Sequence, residues 1–245
     1  MQHIHDNRAL LIDTTSFRFA SMPLRAVVFD LDGLLVNTEE LYEQVGWELL
    51  RRRGHAFDGE LLTRMMGRPQ PIALRMMIDH YRLDATIAEL AVETEEIFGG
   101  LLDAQLKPMP GVVELLHSLE AAGLPKAIAT SSPRRFARNI LGRFNWEPRF
   151  DFLVCGDEVT DGKPHPEIYL TAAQKLAMNP AEVMVLEDSH NGCQAAIAAG
   201  TFAVAVPAGH SHTHDFSGAS LIADTLADAR IYAALGVFNS AAKPA

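Results

Sequence analysis

Cysteine is nearly absent from this 245-residue chain: Cys155 and Cys193 are all there is. Two such residues make no disulfide framework and match no metal-binding spacing, so a reduced, cytoplasmic setting is the expectation. Long apolar runs are missing from residues 1–22, where the longest is Ala9 to Ile12. That is too short for a signal peptide or a bilayer span, and the segment is expected to be an N-terminal extension. Positive charge is also scarce, with 21 Lys and Arg against 31 Asp and Glu and a net charge of −10. The balance argues against general nucleic-acid or anionic-membrane binding. It leaves room for a phosphorylated substrate, because a few local cations and a metal can reverse the field inside one cleft. Repeats are absent, and low complexity is confined to the Ser/Ala-rich C-terminal tail. What is present is ordinary for a globular protein, 48% hydrophobic and 21% charged residues in a chain long enough for a substantial core. A monomer or weak homo-oligomer is expected.

The chain is organised around residues 25–39. An apolar, β-branched run from Ala26 to Phe29 reads as a strand buried on both faces. It stops at Asp30 and Asp32, with Gly33 directly after. Side chains alternate along a strand, so the two acids should lean to one side of its end, and Gly33 lets the chain turn sharply. Two neighbouring carboxylates repel unless a cation or a protonation difference relieves them. Such a pair suits a magnesium site whose acids divide nucleophilic and acid–base duties. An Asp-Gly hairpin turn is the alternative, and it lacks the alternating strand that should follow.

Beyond Thr38 the period becomes helical. Leu41, Val45, Leu49 and Leu50 recur on one face, and Glu39, Glu40 and Glu43 enrich the first turn. Further helices are expected at 60–66, 72–81 and 87–102, with no strand between them. Lys107-Pro-Met-Pro-Gly111 marks the end of this block. After it, strands at 126–129, 152–155, 183–186, 202–206 and 221–223 alternate with helices at 112–122, 136–144, 167–177, 192–199 and 226–235. Alternation of this kind predicts an α/β fold, a doubly wound and mostly parallel sheet covered by helices. The expected domains are an α/β core of residues 23–37 and 107–245 and a helical insert of residues 38–106.

In such sheets ligands collect at the carboxyl ends of the strands. After the 126–129 strand stands Thr130-Ser-Ser-Pro133, which reads equally as a helix N-cap and as an anion cradle. Lys163 lies in Asp161-Gly-Lys-Pro-His-Pro166, an irregular loop able to aim one ammonium group, although alone it reads as a solvated lysine. Glu187-Asp188 ends another apolar run, Val183 to Leu186, and hard oxygen ligands from neighbouring strand ends are what magnesium requires.

In order and placement, Asp30-Leu-Asp-Gly-Leu-Leu-Val-Asn-Thr-Glu39, Thr130, Lys163 and Glu187-Asp188 resemble the four motifs of the haloacid dehalogenase-like phosphohydrolases, over residues 24–235. The resemblance implies a sheet core with a small α-helical cap and a phosphatase acting through an aspartyl-phosphate. It makes Asp30 the nucleophile, Asp32 the general acid/base and Lys163 the stabiliser of charge. Thr130 and Ser131 would bind phosphate. Magnesium would be held by Asp30, the Asp32 carbonyl and Asp188, with Glu187 in support. Residues 32–42, Met66-Gly-Arg68 and Ala129-Thr-Ser-Ser132 look closest to small phosphomonoester phosphatases of the β-phosphoglucomutase, phosphoglycolate and pseudouridine-monophosphate branch. Gly67, Arg68 and Ser132 are therefore candidate substrate contacts for a small phosphorylated metabolite. Asn37 stands where Asp is usual, and Tyr42 where the mutases carry a His. A sugar phosphomutase is the alternative activity, and a catalytically silent binding protein a more distant one. His210, His212 and His214 read as a solvated surface segment, and Met65-Met66 and Met76-Met77 as packing residues of the insert.

Overall fold

A computed structural model describes residues 22–56, 58–65 and 70–238. The expected extension, apart from Met22, and the candidates Gly67 and Arg68 lie outside the described residues.

Strand β1 (Ala26–Phe29) forms because each of its side chains has a core to enter. Val27 and Phe29 belong to one apolar cluster and Val28 to the other, on opposite faces of the sheet. Strand β4 (Val183–Glu187) repeats the alternation, with Met184 and Leu186 on the Phe29 side and Val183 and Val185 on the other. β1 pairs in parallel with β4, and on its other edge with β2 (Lys126–Thr130). Strands β3 (Leu153–Cys155), β5 (Phe202–Ala205) and β6 (Leu221–Ile222) complete one parallel sheet in the order β3-β2-β1-β4-β5-β6. The chain runs outward from β1 to β3 and then returns to the other side of β1. The reversal between β1 and β4 is the topological switch point, where a doubly wound sheet opens a crevice. Helices α5 (Val112–Ala121), α6 (Arg134–Arg143), α7 (Glu167–Lys175), α8 (His190–Ala198) and α9 (Ala229–Leu235) cover the sheet.

Among the described residues four helices intervene between β1 and α5: α1 (Thr38–Arg51), α2 (Gly59–Met65), α3 (Gln70–Tyr81) and α4 (Ile87–Gln105). Their apolar stripes meet, Leu41, Val45 and Leu49 of α1 sharing a cluster with Leu90, Phe98 and Leu102 of α4. Arg53, two residues past the end of α1, pairs with Glu93 of α4. A reciprocal cap starts α4: the Thr86 hydroxyl accepts from Glu89 N–H at 3.2 Å, and the Glu89 carboxylate accepts from Thr86 N–H at 2.7 Å. The chain leaves and re-enters the sheet region at one place. Val36 bridges Pro108 in antiparallel fashion, Asn37 N–H donates to the Lys107 carbonyl at 3.2 Å, and Met109 N–H donates to the Leu35 carbonyl at 3.0 Å.

Element bounds differ from expectation where polar caps decide them. α9 begins at Ala229, three residues late, because the Asp228 carboxylate accepts from Arg230 N–H and caps the helix there. α6 begins at Arg134, earlier than its first apolar residue, because Pro133 precedes it in the extended conformation of an N-cap. Among the described residues no helix is long and apolar enough to cross a membrane.

Candidate active site

The ladder between β1 and β4 runs one residue past β1, since Asp30 N–H donates to the Leu186 carbonyl at 3.0 Å. That bond fixes Asp30 beside Glu187 and Asp188 at the end of β4. Lys163 reaches the same point from the loop before α7. Its ammonium group donates to Asp30 Oδ1 at 2.5 Å, Glu187 Oε1 at 2.6 Å and the Ala129 carbonyl at 3.1 Å. A lysine has three protons to donate, so its capacity is filled. The side chain is 6% exposed, which rules out the solvated-loop reading. Tyr169 of α7 lies beneath it, with Nζ 5.1 Å from the ring centre, and its hydroxyl donates to Glu187 Oε1 at 2.5 Å. The other Glu187 oxygen accepts from Ser189 N–H and Oγ at 3.2 and 3.0 Å. Gly192 opens the space for this carboxylate, since a Cβ there would run into it.

Asp32 is gripped from two directions. Thr38 Oγ1, in the first turn of α1, donates to Oδ1 at 2.7 Å. Ser132 Oγ and Thr130 Oγ1 donate to Oδ2 at 2.7 and 3.2 Å. Thr130 Oγ1 in turn accepts from Ser132 N–H at 3.0 Å. The hydroxyls at the end of β2 therefore orient the second acid, a job beyond either the cap or the cradle reading of that stretch. Ser131 is exposed beside them, its carbonyl against Gly156, where no Cβ would fit.

Charge is crowded here. Burial pushes the Asp30 carboxyl well above its ordinary range, against the pull of Lys163, and Glu187 and Asp32 push the same way. Burial also lifts Asp188, with Glu187 and Asp30 adding to it. Burial would lower the Lys163 ammonium, but Asp30 and Glu187 hold it well above its usual value, so it stays charged. Glu39 is pushed up to about 7 by burial and by Asp32, and burial with the same acid lifts the Tyr42 phenol.

Ligand oxygens of Asp30, Glu187 and Asp188 all lie within 4.8 Å of one another. Asp188 is 5% exposed and accepts no hydrogen bond among the described residues. Gly33, with φ of 78°, stands where a Cβ would run into the Asp188 carboxylate. An orphaned buried carboxylate, a hard all-oxygen donor set and a cradle kept open by glycine fit a small divalent cation. A second grouping, Asp161, His165 and Glu167, is at the surface. There the Glu167 oxygens accept from Thr160 and Asp161 N–H at 2.9 Å each, which accounts for that carboxylate without a metal.

Of the residues singled out in the sequence, Asp30, Asp32, Thr130, Ser132, Lys163, Glu187 and Asp188 converge, and Ser131 lies at the margin. Sequence reasoning missed three contributors. Tyr169 could have been noticed as a phenol on the apolar face of α7. Thr38 and Glu39 stood inside the quoted motif but were read only as the start of a helix.

A family model described as haloacid dehalogenase-like hydrolase matches residues 27–206. The chain is 35% identical over 177 residues to a phosphorylated carbohydrates phosphatase of Thermotoga maritima, covering 72% of this chain and 82% of that one. It is 33% identical to a bifunctional riboflavin kinase/FMN phosphatase of Arabidopsis thaliana over 84% of its own length, and spans 54% of that longer protein. Among solved structures it is similar to CbbY from Rhodobacter sphaeroides in complex with phosphate, with a TM-score of 0.70 and 28% identity over 84% of this chain and 96% of that one.

Proposed function

The chain belongs to the haloacid dehalogenase-like hydrolases, and from that premise we propose that it is a magnesium-dependent phosphatase hydrolysing a small phosphomonoester through an aspartyl-phosphate on Asp30. The substrate class is a sugar, polyol or nucleotide phosphate, in keeping with the carbohydrate-phosphate phosphatase among its relatives. One observation carries this reading. Lys163 holds Asp30 Oδ1, while Oδ2 accepts no hydrogen bond among the described residues and is left as the attacking atom.

In this mechanism Asp30 Oδ2 attacks phosphorus and the ester oxygen departs with a proton from Asp32. Asp32, now a carboxylate, takes a proton from water as that water attacks phosphorus, which frees phosphate and restores Asp30. Thr38 and Ser132 keep Asp32 aimed through both steps. Thr130 and Ser131 take phosphoryl oxygens, Thr130 by turning its hydroxyl away from Asp32. Lys163 fixes the nucleophile and offsets charge on the phosphoryl group. Asp30, Asp188 and the Asp32 carbonyl, with Glu187 behind them, would hold magnesium, which when bound would supply further neutralisation of that charge. The helices of residues 38–106 act as a cap over the cleft, and Gly67 and Arg68 read the rest of the substrate.

Purified protein should release inorganic phosphate from members of a panel of phosphate esters only when magnesium is present. Asp30→Asn should abolish release, and Asp32→Asn should lower kcat by about 10²- to 10⁴-fold, the usual contribution of a positioned acid–base group. Full activity of Asp30→Asn in chelator would sink the covalent mechanism. Phosphate should appear in proportion to ester consumed. Isomerisation of a sugar phosphate without it would instead favour a phosphomutase, which shares the intermediate and differs in what reaches it next.

A further inference from the structure

The acids of the four motifs are joined by one that comes from the first turn of α1. Thr38 pins that turn above the site by its bond to Asp32, and Glu39 is the next residue. The space that a Cβ on Gly33 would take is entered from two sides, by Asp188 Oδ2 and by Glu39 Cγ. The two side chains thus converge over one backbone atom. With Asn37, Ala208 and Gly209 they line a cavity of about 20 Å³, room for one water molecule. Neither carboxylate has a hydrogen bond or an ion pair among the described residues. Asp30, Asp32, Glu187, Asp188 and Glu39 thus share a single buried ammonium, that of Lys163. Packing alone gives no reason to add another carboxylate to that set, since like charges held together oppose folding.

We propose that Glu39 is a positioning residue for the divalent cation, accepting a hydrogen bond from one water that the cation retains and that occupies this cavity. The inference rests on the magnesium reading above. Magnesium gives up its hydration shell reluctantly, so a carboxylate one water away holds the ion without displacing that shell. Because Glu39 lies in the first turn of α1, the arrangement also ties that turn of the helical insert to cation loading.

The test is a titration of metal-free protein with Mn²⁺ followed by electron paramagnetic resonance, with no substrate present. Glu39→Gln should bind Mn²⁺ about 10-fold or more weakly, the usual cost of losing an outer-shell partner. Glu39→Asp keeps the charge but shortens the reach, and should also bind more weakly than the parent. Glu43→Gln removes the same charge from the rim of the same cavity and should stay within about twofold, its field being screened. Parent-like binding by Glu39→Gln would overturn the inference while leaving the magnesium reading intact. Equal weakening by Glu43→Gln would reduce it to a general field. Failure of the parent protein to bind Mn²⁺ would remove both readings together.

Discussion

One ammonium group decides how the acids at the sheet end coexist. Lys163 spends its three protons on Asp30, Glu187 and the Ala129 carbonyl, so it gives Asp188 its charge but no hydrogen bond. The result is that Asp30 and Asp188 lie above the ordinary carboxylate range, through burial first. An acid raised on folding takes up protons as the chain folds. Its stabilising effect is present in full at low pH and is lost as pH rises through the folded value. Glu39, moved from 4.5 to about 7, sets one window for that loss, between those two values. Metal-free protein should therefore be less stable at pH 8 than near pH 5.5, and magnesium should restore stability at the higher pH. Asp188→Asn removes a buried charge that has no partner. It should raise the melting temperature of metal-free protein at pH 8 by roughly 2–6 °C, which for a chain of this size is about 1–2 kcal/mol. The gap should close on acidification, as Asp188 of the parent takes up its proton. A lower melting temperature for the variant at pH 8, measured by calorimetry, would show that the carboxylate is satisfied in some other way.

At the scale of elements, Asn37 is the residue whose chemistry joins two segments far apart in sequence. Its amide NH₂ donates to the Gln105 carbonyl and to Glu40 at 3.3 Å, and its amide oxygen accepts from Lys107 N–H at 2.9 Å. Only a side chain that both donates and accepts can make this set. Asn37→Asp keeps the bond to Lys107 but turns a carboxylate toward the Gln105 carbonyl and Glu40. Asn37→Ala loses all three side-chain bonds and leaves the Lys107 N–H and the Gln105 carbonyl to water, a cost of about 0.5–1.5 kcal/mol for each bond lost. Denaturant unfolding should rank the parent above both variants, and equal stability of all three would mean that water replaces the amide. This is also where legibility from sequence stops. The bounds of β1, α1 and α5 can be read from their apolar period, since alternation and a 3.6-residue repeat record which face is buried. The pairing of Asn37 with Lys107, and the grip of Ser132 and Thr130 on Asp32, join residues about seventy to a hundred positions apart. No local period records such a contact. The motif acids were legible because apolar runs ending in carboxylates are unusual, whereas Tyr169 was hidden in a helix face that reads as packing.

Across the whole molecule, the insert rests on the sheet's helices through a short aromatic stack. The Tyr42 ring lies 4.1 Å from that of Phe98, and Phe98 lies 5.9 Å from Phe136 of α6. Arg143 of α6 adds a bridge to Asp103 of α4 at 2.7 Å. Aromatic pairs of this kind contribute about 0.5–1.5 kcal/mol beyond the area they bury, enough to bias how the insert sits without locking it. Phe136→Ala should therefore quicken proteolysis within residues 38–106 far more than it lowers the global melting temperature, and a uniform loss of both would assign Phe136 to the common core. The doorway between the two regions has its own consequence. The outgoing chain at Leu35 and Val36 and the returning chain at Pro108 and Met109 lie side by side as two antiparallel arms joined by a single bridge. The helices beyond Glu39 could vary without moving either arm, whereas Thr38 and Glu39 are tied to the sheet end. Past those two residues, what lies beyond the doorway is a replaceable cassette, open to rewriting while the acids at the sheet end keep their places.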